Sequence, residues 1–146
     1  MKIARASLYL LKTSIVLYSE SSDLDNGIWK AVSPFYKLPN VFNAGVVSAI
    51  KDVLENSKER MLFASDYSAS KLLKQATGLT FGKLQAGAVK LVSLSRENGT
   101  ITFSPNKTLV DNKGFVPLNE KSISVSQDAT DNDILQTLQD VLSLCE

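Results

Sequence analysis

Histidine, the side chain that enzymes use most often for proton transfer, is missing from this sequence, and cysteine occurs once. None of its 146 residues is histidine, and Cys145 is its one cysteine. This composition removes Ser–His and Cys–His nucleophile pairs, histidine general bases and most zinc sites. Cys145 extends the apolar stripe of a predicted helix, so we interpret it as a packing residue. The sequence therefore predicts a protein that is not an enzyme and that holds no metal or cofactor.

One glycine-containing stretch invites comparison with a phosphate-binding loop but departs from it. Three residues separate Gly78 from Gly82, where that loop needs four, and Leu84 follows Lys83 in place of Ser or Thr. Carboxylates are the remaining candidates for chemistry, because a sequence does not show which acids meet in space. A carboxylate-dependent enzyme therefore stays open as an alternative.

Acidic side chains form two clusters, one near a predicted turn and one at the start of the last predicted helix. Residues 119–146 carry six carboxylates against one lysine, a net charge of −5 over 28 residues. Carboxylates on a surface suit a basic partner, and aromatic residues often anchor such interfaces. We therefore predict partner contacts at the acids of both clusters and at one tyrosine near the first: Glu20, Asp23, Asp25, Tyr36, Asp128, Asp131 and Asp133.

Length and composition indicate a single globular domain spanning residues 1–146. The chain is 44% hydrophobic and 21% charged, with a net charge of +1, which is typical of a globular protein. No apolar run approaches the roughly 20 residues that a membrane-spanning helix needs. The basic residues are scattered rather than concentrated on one face, which argues against nucleic-acid binding. A lone cysteine agrees with a reducing compartment, so we expect a cytoplasmic protein.

Two stretches predict long amphipathic helices with the same pattern. In residues 43–57 the apolar residues recur at helical spacing, with Asn43 as the expected N-cap: Val46, Val47, Ile50, Val53 and Leu54. A shift of 88 positions places this pattern on residues 131–142, within a predicted last helix at Thr130–Leu144. Each helix follows a short β-like run, Phe35–Leu38 or Ile123–Ser126. The sequence therefore indicates a possible internal duplication of a strand-helix unit.

The remaining pattern is rich in strands. Period-two alternation and turn residues predict strands at six places: Ile3–Leu11, Ser14–Ser19, Ile28–Val32, Val89–Glu97, Thr100–Pro105 and Ser122–Ser126. The Asn98-Gly99 turn predicts a hairpin that pairs Leu94 with Phe103. We therefore predict an α+β fold, a mainly antiparallel sheet with helices packed on one face.

A short helix and two loops complete the predicted organisation. The short helix is expected near Ser68–Ala76, where Gly78 acts as its C-terminal stop. Thr77–Gly87 holds three glycines and is interpreted as loop or short turns, and Asp111–Gly114 is interpreted as loop.

Turn and packing residues in several stretches form a further pattern, which extends over the chain from about Ile3 to Leu144. The stretches are Gly27-Ile28-Trp29, Leu38-Pro39, Val53–Lys58, Ala86–Lys90 and Ile101–Pro105. In them the sequence resembles the immunity proteins of bacterial contact-dependent growth inhibition systems, the CdiI-type family.

This resemblance implies a cytoplasmic protein that binds and neutralises the C-terminal toxin domain of its cognate CdiA-type effector. Many such toxins are nucleases, often tRNA-cleaving, whose basic sites would suit the acidic clusters of this chain. The expected partner is thus a protein, and no nucleic acid, membrane or small molecule is expected. The alternatives are another cytoplasmic protein-interaction module and the carboxylate-dependent enzyme.

Overall fold

A computed structural model describes residues 2–109 and 114–146 of the chain. These residues form strands and helices in the order β1 (Ala4–Leu10), β2 (Ser14–Ser22), β3 (Trp29–Pro39), α1 (Ala44–Glu55), α2 (Ala69–Thr77), α3 (Phe81–Gly87), β4 (Lys90–Glu97), β5 (Thr100–Thr108), β6 (Phe115–Pro117), β7 (Ile123–Ser126) and α4 (Asp131–Leu142). A 3₁₀ turn at Asn119–Lys121 lies between β6 and β7. The predicted α+β class is confirmed.

The strands form one antiparallel sheet in the order β3-β2-β1-β4-β5-β6, and β7 also pairs with β5. Both long helices, α1 and α4, pack on the same face of this sheet, as expected. They cover one continuous apolar cluster in which Leu8, Leu17 and Phe103 of the strands are fully buried. Burial of this face is the main source of stability, since apolar area removed from water stabilises by about 25 cal/mol per Å².

The two halves of the chain have matching layouts around the β1–β4 pair at the centre of the sheet. Adding 88 to the residue numbers of β1, β2 and α1 gives positions in or next to β4, β5 and α4, and residues 35–38 of β3 map onto β7. Both long helices have 12 residues and side-chain N-caps, Asn43 and Thr130. This layout agrees with the duplicated strand-helix pattern; the duplication itself stays a prediction.

The opposite face of the sheet is covered by the two shorter helices. Leu73 of α2 and Leu84 of α3 are fully buried there against Tyr9, Tyr18 and Phe35. The prediction of loop or short turns over Thr77–Gly87 is wrong for its second part, because Phe81–Gly87 form the helix α3. Gly78 ends α2 in the left-handed conformation, and the Thr80 side chain then accepts the Lys83 amide at 3.1 Å and starts a second helix.

The β4–β5 hairpin has the predicted register. Asn98 and Gly99 both have positive φ, as a two-residue primed turn requires. Leu94 then pairs with Phe103 and Arg96 with Ile101. The predicted loop at Asp111–Gly114 lies outside the described residues, apart from Gly114.

Candidate functional site

A groove with a volume of about 660 Å³ runs beside the outward side of α1. Its walls are α1, the β4–β5 hairpin and the segment that leads into α4. The polar lining residues are Tyr36, Ser48, Lys51, Asp52, Glu55, Arg96, Gln127 and Asp128. Ile101 and Leu54 also line it, so the groove is a polar channel above the apolar core.

The helix itself explains why four of these side chains meet in the groove. Ser48, Lys51, Asp52 and Glu55 are spaced i, i+3, i+4 and i+7, and such residues share one face of a helix. The other face of α1 is buried in the core. The burial of one face therefore fixes which side chains the other face presents to the groove.

Asp52 is the best-oriented charged group in the groove. The Tyr36 hydroxyl donates a hydrogen bond to Asp52 Oδ2, and the Asn56 side-chain amide donates to Asp52 Oδ1 at 3.1 Å. The hydrogen bond from the Tyr36 hydroxyl to the Asp52 carboxylate raises the pKa of Tyr36, because it stabilises the protonated phenol. The contact joins edge strand β3 to α1, so the aromatic side chain and the carboxylate are held in one arrangement.

Charges of both signs alternate across the groove. Arg96 Nη1 lies 3.1 Å from Glu55 Oε2, and the Glu55 side chain is 75% exposed while that of Arg96 is 26% exposed. Lys51 and Asp128 are exposed, and neither takes part in the ion pairs found among residues 2–109 and 114–146. This arrangement suits contact with a polar protein surface more than it suits an apolar ligand.

The structure brings two of the predicted partner residues, Tyr36 and Asp128, into this groove. The acids of the first cluster, by contrast, do not all lie exposed on a turn. Asp23 is buried, and Lys30 Nζ lies 2.8 Å from its Oδ2. The hydrogen bond from Lys30 holds the pKa of Asp23 below its ordinary value. Asp25 is exposed on the turn.

Glu20 is also engaged within the protein. It is half-buried at the end of β2, and Ser7 Oγ donates a hydrogen bond to its Oε1 at 3.3 Å. Burial raises the pKa of the Glu20 carboxyl. Among the three acids of the first cluster, Asp25 is therefore the one whose side chain is exposed and forms no hydrogen bond or ion pair with the described residues.

The second cluster lies at the N-terminus of α4. Asp131 and Asp133 are exposed in its first turn, and the Thr130 side chain accepts the Asp133 amide at 3.2 Å. Both carboxylates interact favourably with the positive N-terminal end of the helix dipole, and both remain accessible to a partner. The structure contains no partner, so contacts at the seven predicted residues stay predictions.

Sequence reasoning missed Asp52, Glu55 and Arg96 as groove residues. A signal for the first two was present in the polar stripe of α1, the complement of the apolar stripe that predicted the helix. The contribution of Arg96 depends on how far the β4–β5 hairpin reaches beside α1, which local patterns do not show.

In the ranges 2–109 and 114–146, no group of three or more His, Cys, Asp or Glu side chains is placed to hold a metal ion. Within the same ranges, no helix has the length and apolarity to cross a membrane.

Two solved structures resemble this chain along its whole length. One is a protein of unknown function from Neisseria meningitidis, with a TM-score of 0.71 and 17% identity over 99% of this chain and 96% of the other. The second is a chain of the CdiA-CT/CdiI toxin and immunity complex from Yersinia pseudotuberculosis, with a TM-score of 0.67 and 19% identity over 100% and 99% of the two chains. The three chains share one fold. No protein-family model and no curated protein matches the sequence.

Proposed function

We propose that this chain is an immunity protein that binds and neutralises a protein toxin domain, as the CdiI-type resemblance implies. The observation that carries the proposal is the fold shared, over the whole chain, with a chain of a toxin and immunity complex. The absence of histidine from the sequence and the polar groove beside α1 both support a role in binding rather than in catalysis.

The partner in this proposal is the C-terminal toxin domain of a cognate CdiA-type effector, met in the cytoplasm. A nuclease toxin, for example one that cleaves tRNA, needs basic side chains to hold phosphates. Carboxylates of an inhibitor can form charge-assisted hydrogen bonds with those basic side chains in place of the phosphates. Asp52 and Asp128 of the groove and Asp131 and Asp133 of α4 are placed to do this, because each is at least partly exposed.

Tyr36 would act with Asp52 in this interface. An aromatic ring with a polar tip buries apolar area while its hydroxyl keeps a hydrogen-bond partner, and this tyrosine already donates to Asp52. Because the contact exists in the free protein, less side-chain freedom is lost when a partner binds.

The function is tested by co-expression. The chain should protect bacteria against the toxin domain encoded by the neighbouring reading frame, and the purified pair should form a stable complex. An inactive form of the toxin domain serves as the matched control for growth. Failure to protect or to bind would overturn the proposal, as would toxicity of this chain itself or turnover of an RNA substrate by it.

The docking surface is tested by charge reversal at two salt concentrations. We expect Asp128→Lys, and separately Asp131→Lys with Asp133→Lys, to weaken toxin binding by about tenfold per close charge pair lost and to reduce its salt dependence. Asp66→Lys, an exposed loop residue outside the groove, is the matched control. Unchanged binding in both the Asp128 variant and the Asp131/Asp133 variant would place the toxin elsewhere on the protein. Asp25→Lys then tests the remaining exposed acid of the first cluster.

A further inference from the structure

A second cavity, of about 280 Å³, lies on the face of the sheet opposite α1 and α4. Its floor is formed by strands β1, β2, β4 and β5, and Pro117 and Asn119 form part of its wall. The polar side chains that line it are Arg5, Glu20, Ser93, Ser95, Ser104 and Asn119. We call this cavity the Arg5–Glu20 cleft.

Strand register places these side chains together. Arg5 of β1 pairs with Glu20 of β2 on one side and with Ser95 of β4 on the other. Ser93 pairs with Ser104 of β5 in the same way. Directly paired residues point to the same face of a sheet, so one cation, one carboxyl and three hydroxyls share a small area.

The two charged groups of the cleft form no direct ion pair, although the charge of Arg5 favours the ionised form of Glu20. Neither takes part in the three ion pairs found in the part of the chain that the structure describes. The Arg5 guanidinium instead lies 4.7 Å from the centre of the Trp29 ring, and the carboxyl of Glu20 accepts from Ser7 Oγ. Stacking uses the face of a guanidinium and leaves its N–H edges available for an anion. A carboxylate with one hydrogen bond keeps further acceptor capacity.

We propose that the Arg5–Glu20 cleft is a binding site for a small zwitterion of the free amino acid class. The ligand's ammonium group would pair with Glu20 and its carboxylate with Arg5. Ser93, Ser95 and Ser104 can accept from the first group or donate to the second, because a hydroxyl does both. No small-molecule partner was expected from the sequence, because this site is assembled from strands distant in sequence and has no motif.

The arrangement of charges selects this class of ligand over others. A simple anion such as phosphate would face Glu20, and a simple cation would face Arg5, so each would meet a like charge. A molecule with both charges meets a complementary group at each end. The volume of the cleft lies at the lower limit of small-molecule sites, which are about 300–1,000 Å³, and this favours a ligand of amino acid size.

The site is tested on the purified 146-residue chain by calorimetry with each standard amino acid as the probe. The matched probes for the best binder are its amide, which lacks the negative charge, and its N-acetyl form, which lacks the positive charge. We expect each of these to bind at least about tenfold more weakly than the amino acid.

Variants of the protein test the same site from the other side. Glu20→Gln and Arg5→Gln should each weaken binding by about tenfold or more. Glu97→Gln and Lys12→Gln, at exposed positions outside the cleft, are the matched controls and should leave binding unchanged. Ser95→Leu would fill the cleft while keeping both charges, and it should also abolish binding. This third variant keeps the test valid if the loss of Arg5 stacking on Trp29 impairs folding.

Two outcomes would overturn the proposal. One is that no amino acid binds at concentrations up to about 10 mM, a range in which even weak sites fill. The other is that binding occurs but does not change in Glu20→Gln, Arg5→Gln and Ser95→Leu. Toxin binding is measured separately and neither result affects it, so this inference and the proposed function fail independently.

Discussion

The two faces of the sheet differ in how completely they are covered. One carries α1 and α4 over a continuous apolar cluster with fully buried side chains from strands and helices. The other carries α2 and α3 over a smaller, aromatic cluster, and beside it the polar Arg5–Glu20 cleft. The first face is built for stability, while the second retains polar side chains at a cost in burial.

The matching halves of the chain explain this difference. Each half ends with a long helix, and both helices pack on the same side of the sheet. The opposite side receives only the two short helices, α2 and α3, which lie between the halves in sequence. The strand residues on this side that the helices do not cover include serine, arginine and glutamate.

The largest expected effect is on the face under the long helices. Leu54 and Leu142, which occupy equivalent positions in α1 and α4, are 0% and 5% exposed. Leu54→Ala and Leu142→Ala should each lower the free energy of unfolding by about 2–5 kcal/mol, the range for truncating a buried leucine. Urea denaturation measures this effect.

The matched control is Val89→Ala, because Val89 is 52% exposed and its truncation should change stability by about 0.5 kcal/mol or less. A wild-type unfolding midpoint for either leucine variant would show that its helix does not cover a core. The prediction that α1 and α4 are equivalent elements of the core would then be wrong.

A smaller effect is expected in the aromatic cluster of the opposite face. The Tyr9 and Tyr18 hydroxyls lie 3.1 Å apart, and both tyrosines are buried. Tyr9→Phe removes one hydrogen-bond partner of the buried Tyr18 hydroxyl, which keeps Ser7 as a neighbour, and this should cost about 1 kcal/mol. The double variant Tyr9→Phe/Tyr18→Phe should recover part of that loss, and additive losses in a double-mutant cycle would argue against a direct bond.

Local sequence signals predicted much of this architecture. Asn98-Gly99 fixed the hairpin register because both residues accept positive φ. Asn43 acts as the N-cap that was expected, and the second helix begins where it was expected, with Ser68 as its N-cap. The three-residue strand β6 and the helix α3 were missed, because each is short and α3 contains Gly82, a residue that usually weakens a helix.

The candidate sites depend on contacts that no local signal shows. The turn residues near Asp25 predicted that Glu20 and Asp23 would be free, but β2 continues to Ser22, and the segment at Lys58–Met61 bonds alongside it. The Tyr36–Asp52 contact joins residues 16 positions apart, on a strand and a helix whose packing is set by the whole core. The pairing of Arg5 with Glu20 and Ser95 likewise requires the order of three strands.

The pH dependence of stability should separate two acids that the sequence placed in one cluster. Burial raises the pKa of Glu20 above its ordinary value of 4.5, so the folded state holds this proton more tightly than the unfolded chain does. Its contribution to stability is therefore fully present below the unfolded pKa and is lost as pH rises through the folded pKa. The free energy of unfolding of the wild type, relative to Glu20→Gln, should fall across this window.

Asp23 should give the opposite sign, because its hydrogen bond with Lys30 lowers its pKa. Its contribution is present above the unfolded pKa and is lost as pH falls through the folded pKa. Thermal unfolding of the wild type, Glu20→Gln and Asp23→Asn over a pH series measures both slopes. Equal slopes for the two variants would contradict the distinct surroundings that the structure gives these carboxyls.

The smallest effect on stability is expected in the α1 groove, where Glu55 forms an ion pair with Arg96 but is largely exposed. Exposed ion pairs contribute about 0–1 kcal/mol, because water screens them and holding two long side chains costs entropy. Glu55→Gln should therefore leave the urea midpoint nearly unchanged, as should the control Glu97→Gln at an exposed position outside the groove.

In the toxin-binding assay the two variants should differ: Glu55→Gln frees Arg96 to repel a basic partner and weakens binding, whereas Glu97→Gln does not. If Glu55→Gln lowered stability as much as the core variants do, the groove would be part of the structural framework. If both variants bound toxin like the wild type, the charges beside α1 would not be the docking surface.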